Sequence, residues 1–220
     1  MSSTMSSERL DALPGHFHGF ALMHVAMRRD ARRLTAAAPR LAATGPDPAV
    51  AEWWQRLRDV IDWHHRSEDE LLWPELLRRL PGAEDVARAL DGDHAELDAA
   101  MDGVGAALRP GADPAAVAPA AARFDEVLHE HLAAEEKVVF PLFARLDARD
   151  YLALEQRLVR TAPRGVLTYL PPWMFDGAEP RSVSLVAATM PPPVRLLGRT
   201  VLRRRYERGL AAITTPGRRN

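Results

Sequence analysis

Residues 64–74 read His-His-Arg-Ser-Glu-Asp-Glu-Leu-Leu-Trp-Pro, and residues 131–141 read His-Leu-Ala-Ala-Glu-Glu-Lys-Val-Val-Phe-Pro, an internal repeat at a constant offset of 67 residues. His64 matches His131, Glu68 matches Glu135, Trp73 matches Phe140 and Pro74 matches Pro141; an acid follows each matched Glu, and two aliphatics precede each aromatic. On an α-helix, positions i and i+4 stand one turn apart on the same face, so each His-x-x-x-Glu aims a ring nitrogen and a carboxylate at one point. Two such pairs on packed helices can build a shared metal site.

Outward from this repeat, apolar residues recur at three and four, and the breaks fall at Gly45-Pro46, Pro81-Gly82 and Pro110-Gly111. The spacing predicts long helices over 17–38, 49–80, 84–109 and 115–146, with a shorter fifth over 148–161. Short connections between long helices favour antiparallel neighbours. The expected fold is all-α, an antiparallel up-down-up-down four-helix bundle. Its expected domains are a flexible N-terminal segment (1–16), the bundle with its short fifth helix (17–162), and a Pro- and Arg-rich helical extension (163–220) packing on the bundle.

Counting along the chain from each turn gives the height of a side chain in such a bundle. About residue 44, His24 and His64 are each 20 residues away; about residue 81, Glu68 and His94 are each 13 away; His94 and His131 are nearly equidistant from residues 112–113. Four histidines and two glutamates thus fall in one layer, to within a helical turn of roughly 5 Å.

Composition narrows the chemistry. The chain has 220 residues, 47% of them hydrophobic, which is enough to close a core. It has no cysteine, which excludes disulfides, thiolate zinc sites, iron–sulfur clusters and cysteine nucleophiles. A metal would have to be held by His, Asp and Glu. Basic and acidic residues nearly balance, at 29 and 30, without the excess of a nucleic-acid binder. The first residues lack the basic and apolar regions of a secretory signal, and no apolar run is long enough to span a membrane, so a cytoplasmic location is expected.

Single His, His-x-x-x-Glu, single His and His-x-x-x-Glu on successive helices resemble the hemerythrin-like, or HHE cation-binding, family over about residues 18–146. The resemblance implies two iron ions joined by an oxo or hydroxo bridge. His24 and His64 would hold one, His94 and His131 the other, and Glu68 and Glu135 would bridge them. Zinc, which prefers four ligands at one tetrahedral centre, fits the pattern less well. The chain departs from the oxygen-carrying members, which have a His-x-x-x-His on the third helix, because His94 is followed four residues later by Asp98. Those members also take their last carboxylate five residues after the final His, where this chain has Glu136 beside Glu135. A missing histidine leaves coordination positions for oxygen, peroxide or nitric oxide. The expected function is binding of, and reaction with, such a small ligand, with peroxide decomposition as one form of it; the alternative is a non-catalytic iron, oxygen or redox sensor.

Asp98 is either an additional ligand or a partner for Arg28. His65, rotated about 100° from His64, and His129 are expected to face outward or to a helix interface, with His16 and His18 at the frayed start of the first helix. Pro74 and Pro141 each remove a helical hydrogen bond and are expected to bend their helices. Met27, Met101, Trp63, Leu97 and Val127 read as core or pocket lining. In the extension, an apolar stripe from Val194 to Ile213 flanked by arginines predicts one basic amphipathic helix. With nine arginines against one acid over 181–220, it is expected to dock on the acidic bundle, with Trp173 and Phe175 as hydrophobic pins.

Overall fold

In the computed structural model, the described residues are 10, 12–45, 47–82 and 93–215, and every regular element among them is helical. The elements are α1 (His18–Thr44), α2 (Pro48–Ser67), a π-helical turn (Glu68–Leu72), α3 (Trp73–Arg79), α4 (Asp93–Ala107) and α5 (Val117–Phe143). After them come α6 (Ala148–Thr161), α7 (Arg164–Phe175), α8 (Pro180–Thr189), α9 (Pro192–Arg199) and α10 (Val201–Thr214). The expected helix start over 84–92 lies outside the described residues. So do 1–9 and 11 of the expected flexible segment, whereas Leu10 is buried and Gly15–Phe17 form a 3-10 turn.

Local chemistry explains where the helices begin and end. Asp47 accepts a hydrogen bond from the Ala49 amide at 2.7 Å and Pro48 opens α2, a cap and a preset φ together. Asp147 caps α6 by accepting from the Asp150 amide at 2.8 Å. The first helix runs past Pro39, where the sequence reading ended it, and stops at Gly45, whose φ of 81° suits only a residue without a Cβ.

Helix α5 packs along both α1 and α4, and α2 packs against α7 and α10. One apolar core gathers Leu22, Met27, Trp53, Leu57, Met101, Phe124 and Leu128; a second gathers Phe17, Phe20, Leu72, Leu76, Phe143 and Tyr151. Met27, Leu97, Met101 and Val127 are core residues. The expected single helix over 194–213 is two helices, broken at Thr200 (φ −123°, ψ −94°).

The extension meets α1 through a polar knot. Asp30 is fully buried, and it accepts from the Trp173 indole N–H at 2.9 Å and from Arg29 and Arg33, each at 2.9 Å. Arg29 also donates to the carbonyls of Trp173 and Asp176, and the Tyr206 hydroxyl donates to Asp176 at 2.8 Å. A buried carboxylate is tolerated here because its lone pairs are filled. Trp173 is completely buried and Phe175 is partly so.

Candidate metal centre

Helices α1, α2, α4 and α5 bring histidines and carboxylates together between the two apolar cores, and the Phe20 ring packs on those of His24 and His64. Two groups form. His24, His64, Glu68 and Glu135 make one, all four buried; His65, His94 and His131 make the other, with ligand atoms inside each group within 4.8 Å of one another. In the first group the His24 Nε2 lies 3.2 Å from the His64 Nε2 and 3.5 Å from the Glu135 Oε2, and the His64 Nε2 lies 3.0 Å from the Glu68 Oε1. The same Glu135 oxygen is 3.9 Å from the His131 Nε2, so this carboxylate stands between the groups.

The backbone shapes this placement. Pro74 has no amide for the Glu70 carbonyl, and the turn just before it widens into the π-helical segment, where the Trp73 amide bonds the Glu68 carbonyl. Pro141 lies inside α5 without ending it.

The donors fit a metal ion on physical grounds. Both oxygens of Glu68 and of Glu135, both ring nitrogens of His131, and the His65 Nε2 are buried without a hydrogen-bond partner among the described residues. Such groups are costly unless something satisfies them, and bound cations would satisfy the carboxylate oxygens and one lone pair on each imidazole. Burial pushes the His64 and His65 imidazoles well below their ordinary range and the neighbouring imidazoles add to it; the same causes push His131 down to about 3. Neutral imidazole is the form that binds metal. Burial, with the adjacent Glu135 carboxylate, pushes Glu68 well above the ordinary carboxyl range, a repulsion that a cation between them would remove.

Several expectations need correction. Asp98 is exposed, belongs to neither group, and has Asp62 as a charged neighbour. Arg28 does not pair with it: the Arg28 guanidinium donates to the Glu136 Oε1 at 2.6 Å, because Glu136 follows Glu135 on α5 and turns toward α1. Of the two placements expected for His65, outward or at a helix interface, it takes the interface, and there it joins a donor group. It is buried, its ring stacks on that of His94 at 4.5 Å, and it meets the His131 ring at 4.9 Å. His18 is not frayed but buried, its Nδ1 2.9 Å from the Ser182 hydroxyl. His94 is half-buried, with its Nδ1 3.4 Å from Asp69. His129 lies at a helix interface, one of its two expected placements: its Nε2 is 3.1 Å from Arg32 on α1, and its Nδ1 donates to the Asp125 carbonyl at 2.8 Å.

Sequence reasoning missed His65 and the role of Glu136. The signal for the first was the His64-His65 doublet itself: adjacent residues on a helix diverge by about 100°, enough for one helix at the corner of a site to serve two directions.

No curated protein and no solved structure gives a match to the chain. The model of the hemerythrin HHE cation-binding domain matches residues 16–143, more than half the chain and the whole span that carries both donor groups, and the chain belongs to that family.

Proposed function

We propose that the protein is a non-haem diiron protein, built on an antiparallel four-helix bundle, that binds and reacts with oxygen, peroxide or nitric oxide. The observation that supports this most is the division of buried, unpartnered donors into two adjoining groups with Glu135 between them. His24, His64 and Glu68 would hold one ion, and His65, His94 and His131 the other, with Glu135 shared. Bound iron would supply redox chemistry and Lewis acidity toward the small ligand. The chain supplies neutral imidazoles, a dry surround and oriented rings. His24 keeps its Nδ1 proton on Glu136 at 3.0 Å, which leaves its Nε2 lone pair for the metal.

With His65 present, the second group has three imidazoles, so the vacancy inferred from Asp98 shrinks. The first group has two imidazoles and Glu68, so with Glu135 shared each ion would have four donors from the chain. Metal analysis and the optical spectrum of protein from iron-replete cells provide the test. Two irons per chain with near-ultraviolet charge-transfer absorption are expected, and one tightly held zinc without iron would overturn the reading. Peroxide loss faster than with equal free iron, and abolished in His94→Ala and His131→Ala, would support turnover. Without such turnover, the alternative is a sensor. It is favoured by one observation: α1 carries both His24 and Asp30, and so joins the donor groups to the knot that holds the extension.

A further inference from the structure

Between α1, α2, α6 and the extension lies a cavity of about 630 Å³ whose walls are overwhelmingly hydrocarbon. Its inner end reaches Phe20, Met23, His64 and Glu68, and its outer wall is α7, α8 and α9. The volume falls in the range of about 300–1,000 Å³ typical of sites for drug-sized ligands.

Three features argue that the cavity is made for an occupant. First, every exposed large hydrophobic side chain among the described residues lies on α6, α9 or α10, and three of them, Val159, Val194 and Leu197, line the cavity. Residues 191–197 are all exposed even though Val194 and Leu197 face inward; apolar surface left uncovered in this way marks a binding surface. Second, α9 is held over the cavity by a close approach: a Cβ at Gly198 would stand 3.2 Å from the Pro171 Cβ, and residue 198 is the one buried position from 191 to 198. Third, the charged groups of the wall are few: Glu68 at the inner end, and Glu155 and Arg160 along α6. Glu155 lies inside against Gly19, and Arg160 is exposed and makes no ion pair among the described residues. Five residues of helix separate the two by about 7 Å. Among the described residues, an anionic head finds no cation at the inner position and is attracted to the guanidinium at the outer one.

We propose that this cavity binds a long-chain aliphatic carboxylate, with the hydrocarbon chain between the extension and the bundle and the carboxylate at Arg160. A chain lying in it would bring its far end toward the His64–Glu68 side of the candidate metal centre. Binding rests on the apolar walls and Arg160, and because His64 and Glu68 close the inner end, comparison with and without iron separates its failure from that of the diiron reading.

The test uses the full chain, with and without iron, and displacement of the neutral dye N-phenyl-1-naphthylamine by hexadecanoic acid, hexadecan-1-ol and hexadecylamine. The acid should displace the dye best. Arg160→Ala should weaken the acid at least tenfold and leave the alcohol unchanged. Leu167→Trp, which fills the cavity, should abolish dye binding; Val194→Asp, at an exposed position that tolerates charge, should weaken it with iron content unchanged. The proposal is overturned if the acid displaces no dye, if the amine displaces better than the acid, if Arg160→Ala weakens acid and alcohol alike, or if both wall variants bind as the parent does. A dimer that forms through α9 and shuts out the dye would overturn it equally.

Discussion

The Nδ1 of His24 donates to the Glu136 Oε1 at 3.0 Å, and the same oxygen accepts from Arg28. Glu136 is thus not a spare carboxylate beside Glu135. Burial pushes its carboxyl up, but the hydrogen bonds from His24 and Arg28 and the Arg28 charge outweigh burial and hold it below its ordinary range. It remains an acceptor that fixes the ring of His24 and the tautomer that ring adopts.

Glu136→Gln should therefore lower iron affinity by roughly 10- to 100-fold, the usual effect of losing a carboxylate behind a metal-bound histidine. Competition with a chelator measures it, and unfolding followed by circular dichroism confirms that the bundle persists. Unchanged affinity would mean that Glu136 serves only Arg28.

His65→Ala should reduce iron from two towards one per chain, whereas Asp98→Ala should leave two, since Asp98 is exposed and outside both donor groups. Metal analysis of the two variants decides this, and equal losses would remove His65 from the ligand set.

The doubled His-x-x-x-Glu was readable because i and i+4 share a face whatever the tertiary context, and counting from the turns set His24 and His94 near the same height. His65 was not readable from a single-helix projection: a 100° offset separates two faces, but which face meets a neighbour depends on α4, a tertiary fact. Glu136 was hidden for a similar reason, because its partner lies 108 residues away on α1. The long helices follow apolar periodicity and capping, yet Pro39 shows that an exposed proline need not end a helix, and the π-helical turn before Pro74 follows from backbone hydrogen bonding that side-chain patterns do not encode. The break at Thr200 had one local sign, Gly198 two residues earlier.

Asp30→Ala should destabilise the chain by about 3 kcal/mol, because it strips a buried acceptor from Trp173, Arg29 and Arg33 together. Hydrogen exchange over 164–214 should accelerate well before exchange in α5. Uniform acceleration through both regions would show that the extension and the bundle open as one unit.

Burial pushes the Glu155 carboxyl up to about 7. A folded-state value above the unfolded one means that the native chain binds the proton more tightly. The resulting stability is complete below the ordinary carboxyl range near pH 4.5 and is lost as pH rises to about 7. Urea unfolding at pH 5 and pH 8 should differ by up to about 3 kcal/mol from this group, and Glu155→Gln should flatten that part of the profile. A profile identical in the variant would place the slope elsewhere.

His64 and His65 are neighbours in sequence, yet one faces the ring of His24 on α1 and the other the ring of His94 on α4. A small twist of α2 about its own axis therefore draws one imidazole toward its group while swinging the other away. The same helix packs against α7 and α10. Any torque that the extension exerts on α2 would thus reach both halves of the centre at once and with opposite sign, tightening one grip as it loosens the other.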